Sequence, residues 1–520
     1  MSESRQPSER RWQVFLLLLG LPFVLQLGAA PLFDVDEGAF AEASREMWTS
    51  GDFGHTTLNG ADRFDKPIAV YWLQAAAMAL LGPAEWAARL PSALCAWALC
   101  VAVARFARSQ WGQEVGLWAG GILATSAGLL LIGRASTADA MLNLCLGLAV
   151  LDLWRHLKSG DLQPLRRVAV WVGLGLLTKG PVALLIPGAA LVLWWISGGG
   201  IVRAGRTLSD APSWALLLVV SAPWYLYAWI RHGHAFVEGF LLKHNVDRFS
   251  ATLEGHGGGV LYYAVLLPVM WLPWSALLWP VLRRLPKQWS DDASRFFLLW
   301  VAFVLVFFSI SGTKLPHYAL YACVPLALLM ARQAVHHGPW LRALIWLGLV
   351  VWSCLLALVP WLAPQWSLAI ADPLYRALIA GSSVSAVHWC VVGAAGAVQV
   401  LLTLGRSTAF AIRASVAGGS TALMCVVAAW PWAGEALQGP VRRAALASRQ
   451  HVGQAVQWNV HWPSVGFYRE QPVPRREPQP GELAFVRMDR WSSPAGYELL
   501  YRERGVGLVR RLDQAREEQP

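Results

Sequence analysis

Uninterrupted apolar runs such as Trp12–Ala30 and Trp340–Leu362 constrain this chain more than any other feature. At 1.5 Å per residue, about 20 residues cross the ~30 Å hydrocarbon core of a bilayer. A backbone in hydrocarbon must satisfy its own polar groups, which leaves helices or a closed barrel, and runs this long specify helices. Composition agrees: 56% of residues are hydrophobic and only 14% charged, with a mean hydropathy of +0.42. Soluble domains carry roughly a quarter charged residues. A soluble enzyme with one signal anchor is excluded. The chain is predicted to be an all-α polytopic membrane protein.

About thirteen spans are predicted, centred near residues 21, 96, 122, 146, 173, 188, 221, 270, 303, 324, 351, 395 and 421. The fifth and sixth, flanking Thr178–Pro181, are short. With the N-terminus inside, alternate loops hold Arg105 and Arg108, then Arg155, Lys158, Arg166 and Arg167, then Arg203 and Arg206. Further along come Arg283, Arg284 and Lys287, then Arg332 and Arg342, then Arg406 and Arg413. All fall on one side, which the positive-inside rule makes cytoplasmic. The net charge of +11 is thereby explained by orientation, and no nucleic-acid partner is expected. Arg5, Arg10 and Arg11 precede the first run, and Asp34–Glu37 follow it with no small-residue cleavage site, so the first span is predicted to stay uncleaved. The seven cysteines lie in apolar stretches without a CxxC pair and are expected in the core.

The opposite, outer face gathers the polar chemistry. It receives loops 31–84 and 231–258, the turns at 133–139, 179–181 and 312–317, and the tail after Trp432. Four of the six lysines (Lys66, Lys179, Lys243 and Lys314) fall there. Asp36–Ser50 reads as an amphipathic helix in the interface plane, with Phe40, Ala43 and Met47 on one side. Gly51–Gly60 is a turn-rich break, and a second helix is predicted over Lys66–Leu81 with Pro67 in its first turn. Residues 1–432 form the predicted membrane domain, and 433–520 a small non-cytoplasmic α/β domain. No internal repeat stands out.

Each candidate site residue has a structural and a functional reading. Asp34 reads as interfacial solvation. Asp36 and Glu37 open a helix and could simply favour its dipole. Asp139, however, begins another span at the same face, and carboxylates near hydrocarbon are costly unless paired or used. Lys66, Arg248 and Lys314 could each snorkel or hold a lipid headgroup; around one cavity they could hold a phosphate. A carboxylate that accepts a hydroxyl proton, beside cations that take up charge on phosphate, suits a reaction whose leaving group is a phosphorylated carrier. Asp65 and His244 are possible ligands for Zn or Mn or else ordinary hydrogen-bonding residues, and His232, His234, His256 and His317 share their face.

The segment Asp34-Val-Asp36-Glu37-Gly-Ala-Phe40 through Met47, then Gly51-Asp52, Leu58-Asn59-Gly60 and Phe64-Asp65-Lys66-Pro67…Tyr71-Trp72, resembles the first outer loop of one bacterial family. That family comprises polyprenyl-phosphate-dependent glycosyltransferases of GT-C fold: the lipid A aminoarabinose transferases and their protein O-mannosyltransferase-like relatives. The likeness continues at Arg134…Thr137-Ala-Asp139, Leu177-Thr178-Lys179-Gly180-Pro181, His244-Asn245…Arg248-Phe249, Ser311-Gly312-Thr313-Lys314-Leu315-Pro316…Tyr318 and, more weakly, Pro463-Ser464…Phe467-Tyr468. The resemblance implies a polyprenyl-phosphate sugar donor used on the non-cytoplasmic face. It also implies that Asp36 is the catalytic carboxylate, that Asp139 binds sugar or acceptor, that Lys66, Arg248 and Tyr318 hold the lipid phosphate, and that Asp65 and His244 form a metal pair. The chain departs from the pattern at Asp65, where many relatives have Glu, and at Ala39 and Phe40, where many have Arg and Tyr.

The expected activity is transfer of a sugar from polyprenyl phosphate to a lipid A-like or protein acceptor at the periplasmic face of a bacterial inner membrane. Asp36, Glu37 and Asp139 are the expected catalytic residues, with Lys66, Arg248, Lys314 and Tyr318 on the phosphate. A transporter or lipid flippase is the competing class. It would need broken or polar mid-membrane segments, and Pro187, Pro223, Pro268, Pro273 and Pro325 keep it in play. A catalytically silent GT-C scaffold is the third reading.

Overall fold

The computed structural model describes residues 6–199, 201–247, 249, 257–336, 338–405 and 409–512. Among them, seven helices are long and apolar enough to cross a membrane, or eight if the bent pair Gln113–Thr125 and Ala127–Gly133 counts as one span. The thirteen segments expected from the sequence are not all of this length. Several apolar stretches fold as shorter helices, including Gln6–Leu18, Val182–Trp194, Tyr262–Met270 and Cys323–Ala334, and a 13-residue helix rises only about 20 Å. The best-buried span, Asp139–Ser159, contrasts with Ala386–Leu404, few of whose residues are buried. That contrast corrects the cysteine expectation: Cys100, Cys145, Cys323 and Cys425 are buried, whereas Cys354 and Cys390 are exposed on peripheral spans whose surroundings in a membrane are lipid.

At the end of the bundle holding the first long loop, Asp36–Ser50 forms a helix. Phe40, Ala43 and Met47 pack with Ile68, Tyr71 and Ala75, as the helical spacing predicts. The polar side of this helix is covered as well, so it does not lie amphipathically at a water boundary. Glu42 pairs with Arg45 in complete burial (2.7 Å), and Glu46 accepts from Thr57 Oγ1 (2.5 Å). The cover is the short helix Ser464–Arg469, which approaches so closely that a Cβ on Gly38 would collide with Asp34 and with the Ser464 backbone. Asp34 accepts from Ser464 N (2.9 Å) and Oγ (2.5 Å). It is therefore an anchor between the two ends of the chain and not a solvated interfacial carboxylate.

The predicted break after residue 50 contains a two-strand hairpin, Thr57–Leu58 against Ala61–Asp62. Asn59 and Gly60 both have positive φ (55° and 79°), the requirement of a type I′ turn, which Asn-Gly meets at low steric cost. The next helix begins at Ala69, so Lys66 and Pro67 precede it, and Lys66 sits on a loop. Towards the C-terminus, helix Trp430–Ser448 runs through residue 433. The strands after it form one sheet in the order Ala455–Gln457, Leu483–Arg487, Val506–Arg511, Tyr497–Glu503, parallel in the first pairing and antiparallel in the others. Leu483, Phe485 and Leu508 share a core with Leu32, Ala41, Ala87 and Val441, which holds the sheet against the loop helices.

Candidate active site

The first helix of the loop is fixed at its N-terminus by Glu37, which is 3% exposed. Its two oxygens accept from Arg89 Nε and Nη2 (2.9 and 2.7 Å), from Ser136 N (2.7 Å) and from Phe33 N (2.9 Å). Arg89, fully buried, also donates to the Leu27, Ala30 and Pro31 carbonyls. Every strong acceptor position of Glu37 is taken, so the expectation of a catalytic Glu37 is corrected: it is a brace joining three segments. Removing one partner of a buried ion pair strands the other charge, at about 3–5 kcal/mol. Glu37→Gln is therefore expected to lower the thermal unfolding midpoint clearly in detergent; an unchanged midpoint would refute the bracing role. Arg134 acts similarly, donating to the Pro22, Leu25 and Gln26 carbonyls left open where the first helix breaks.

The neighbouring Asp36 is free of that lock. Its side chain is open to solvent, and among the described residues none donates a hydrogen bond to it. Desolvation by the surrounding protein raises its pKa, the Asp139 charge raises it further, and Lys66 and Lys179 counteract in part. Asp65 behaves oppositely. Burial pushes it up, but Lys66, Arg63 and His244 more than offset this and hold it well below the usual range. Its oxygens meet Lys66 Nζ (2.5 Å), Arg63 Nη2 (2.8 Å) and His244 Nδ1 (3.0 Å).

Asp65 and His244 thus come together as the metal reading requires. They supply two protein donors, short of the four of a structural zinc site, and both Asp65 oxygens already face cationic nitrogens. The residues present fit a metal only if it displaces those contacts and recruits outside ligands.

Asp139 is the centre of a second cluster. Lys179 Nζ donates to it (2.5 Å), Tyr321 OH donates to it (3.1 Å), and His317 Nε2 stands 3.6 Å away. Lys179 also lies 5.5 Å from the ring centres of Tyr318 and Tyr321. Sequence reasoning placed Lys179 and His317 at this face without giving them roles, and it missed Tyr321. The usable signal was that Thr178-Lys179-Gly180-Pro181 and Leu315-Pro316-His317-Tyr318 turn at the same depth as Asp139.

Between the clusters opens a cavity of about 470 Å³. Asp65, Lys66, Lys179, His244, Tyr318 and Tyr321 line its polar end, and Leu185, Leu241, Phe249, Phe307 and Phe308 its apolar wall. Leu185, Leu241 and Phe249 are exposed as well as lining the cavity, so the apolar wall is open and not sealed inside the bundle. The expected phosphate group is thereby partly assembled: Lys66 and Tyr318 reach the cavity. Lys314 is a correction, because it is buried, donates to the Ser311 carbonyl (2.7 Å) and does not line the cavity. Arg248, like Arg5, His256 and Arg406, lies outside the described residues.

Residues 65–231 match the family model described as dolichyl-phosphate-mannose-protein mannosyltransferase. The chain is 30% identical over 347 residues to the undecaprenyl phosphate-alpha-4-amino-4-deoxy-L-arabinose arabinosyl transferase of Aeromonas salmonicida, covering 62% of this chain and 60% of that protein. It is 28% identical over 405 residues to the protein of that name from Enterobacter sp., covering 73% and 70%. It thus spans about three fifths of the length of the Aeromonas relative. The crystal structure of ArnT from Cupriavidus metallidurans bound to undecaprenyl phosphate superposes with a TM-score of 0.80, at 20% identity, over 97% of this chain and 98% of that one. The chain therefore shares the fold of that structure and is similar in sequence to these transferases.

Ala39 and Phe40, where the chain departs from the pattern it resembles, sit on the loop helix Asp36–Ser50. Both side chains are buried. Phe40 stacks on Tyr71 (5.3 Å), and the Arg63 guanidinium lies over the Phe40 ring (5.6 Å) while donating to Tyr71 OH (3.2 Å). Phe40 is thus held by an aromatic contact with Tyr71 and by the Arg63 guanidinium.

Proposed function

We propose that the protein is an integral-membrane glycosyltransferase that moves a sugar from a polyprenyl phosphate, of the undecaprenyl class, to a lipid A-like acceptor. The observation that carries this reading is the cavity itself. Its apolar wall opens to the lipid-facing side and ends at two lysines, where a lipid tail and an anionic headgroup would each find their own chemistry. The names of the relatives support the same donor class, and a protein acceptor is the remaining option within it. The protein is placed in a bacterial inner membrane with thirteen membrane segments of unequal length, a cytoplasmic N-terminus, and the site and C-terminal sheet on the periplasmic side.

Lys66, with Tyr318 and the expected Arg248, holds the donor phosphate and takes up its charge as the sugar–phosphate bond breaks. Asp36 faces the acceptor. It takes the proton of an attacking hydroxyl or, if the acceptor is already an ionised phosphate, orients it. Asp139, held by Lys179 and Tyr321, binds sugar or acceptor. A divalent ion between Asp65 and His244 would add positive charge beside the phosphate; no step requires it.

With a hydroxyl acceptor, only ionised Asp36 can take the proton. Its pKa is raised, so kcat/KM should rise with pH through a limb lying above the 3.8 of an ordinary Asp and then flatten. A rate independent of pH down to about 4 would exclude Asp36 as base. The activity itself is tested with purified protein, several polyprenyl-phosphate sugars, and lipid A or a membrane protein extract. Mass spectrometry should show the acceptor gaining one sugar residue; no gain with any donor and acceptor would overturn the reading.

A further inference from the structure

A second cluster of metal-binding side chains lies beside the loop that carries Lys66, apart from Asp65 and His244. His55 and Asp62 come from the hairpin region, and His232 is the last residue of span Ala211–His232. Each offers one ligand atom, and these atoms lie within 4.8 Å of one another. His55 Nε2 stands 2.9 Å from Asp62 Oδ1, and the two imidazole rings face each other at 4.2 Å. Nε2 of His232 is buried without a hydrogen-bond partner. Phe64 closes the apolar side, 5.1 Å from the His232 ring and 5.9 Å from the His55 ring.

Two features make this a ligand set and not a chance meeting of polar residues. The scaffold is fixed independently: Arg231 pairs with Asp52 (2.7 Å), and Trp224 Nε1 donates to the Gly54 carbonyl (3.1 Å), which holds the hairpin loop to the end of the span. Those contacts also engage the nearby cations, since Arg231 is paired with Asp52 and Arg63 with Asp65. The orphaned His232 nitrogen is therefore left to receive a cation, beside an Asp62 carboxylate that faces His55 and solvent. Tetrahedral zinc with bonds of about 2.0–2.1 Å sets its ligand atoms roughly 3.3–3.5 Å apart. Reaching that from 4.8 Å needs a shift of roughly 1.3–1.5 Å, which the 62% exposed Asp62 side chain can make by turning. Its solvent side leaves the fourth position to water.

We propose that His55, Asp62 and His232 bind a divalent zinc-class cation that staples the first outer loop to the end of span Ala211–His232. The site does not depend on the transfer activity, and its test reads metal alone. Tag-free full-length protein in detergent is stripped with chelator and titrated with Zn²⁺ against a chromogenic chelator, and Co²⁺ is added in parallel for its visible spectrum. The expected result is one Zn²⁺ equivalent that persists in His244→Ala, disappears in His232→Ala and binds more than tenfold more weakly in Asp62→Asn. Co²⁺ should give the intense visible bands of a four-coordinate ion in the parent and in His244→Ala. Asp62 is exposed, so Asp62→Asn decides the matter even if His232→Ala fails to fold. Unchanged stoichiometry and affinity in Asp62→Asn, or no Zn²⁺ taken up by the parent protein, would overturn the proposal.

Discussion

The Asp36→Asn protein is expected to transfer sugar about 10²–10⁴-fold more slowly than the parent, the usual contribution of a positioned general base, while folding and binding donor normally. The expectation follows from the contrast between two adjacent carboxylates. Glu37 is consumed by Arg89 and two backbone amides, so its neighbour is held rigidly at the head of the helix. Asp36 itself is solvent-open and receives no hydrogen bond from the described residues, so an amide there removes no structural contact. The measurement pairs initial transfer rates with donor titration and a thermal melt. A parent-like melt and donor affinity with the rate lost supports the role. A parent-like rate removes Asp36 from the chemistry.

Lys66→Met should lower kcat/KM by about 10²–10³, the range found when one group that stabilises developing oxyanion charge is removed. Lys66 is the loop cation that both lines the cavity and contacts Asp65. Methionine keeps most of the stem's packing and deletes the charge. A second readout separates electrostatics from damage to the loop. The Lys66 charge lowers the Asp36 pKa, so removing it should move the acid limb of the pH profile to higher pH. A lower rate with an unmoved limb would mean that Lys66 acts only by holding Asp65. A full rate would take Lys66 off the phosphate.

The membrane class and the gathering of polar residues at one face were legible because they depend on local quantities: run length, loop charge and the depth at which each motif leaves its helix. Asp36, Asp65, Lys66, Asp139 and His244 could be selected on that basis, and Tyr318 through the family resemblance alone. What each one touches could not. Glu37 looked equivalent to Asp36 until Arg89, 52 residues away, claimed it. Lys314 looked equivalent to Lys66 until its ammonium turned back to the Ser311 carbonyl. Asp34 looked like a solvated boundary residue because its partner, Ser464, lies 430 positions along the chain. The unequal length of the segments was hidden for a related reason: hydropathy registers apolar stretches, whereas helix length is set by breaks such as those after Leu18 and Met270 that packing against neighbours tolerates.

The fate of the sugar–phosphate bond tests the central claim most directly. Purified protein in detergent, where no second compartment exists, is given a polyprenyl-phosphate sugar and lipid A, and free polyprenyl phosphate is counted by mass spectrometry against Asp36→Asn. A glycosyltransferase releases one polyprenyl phosphate for each sugar gained by the acceptor, and Asp36→Asn releases almost none. A transporter or a silent scaffold would bind the donor and leave its sugar–phosphate bond intact, and that result would contradict the transfer reading outright.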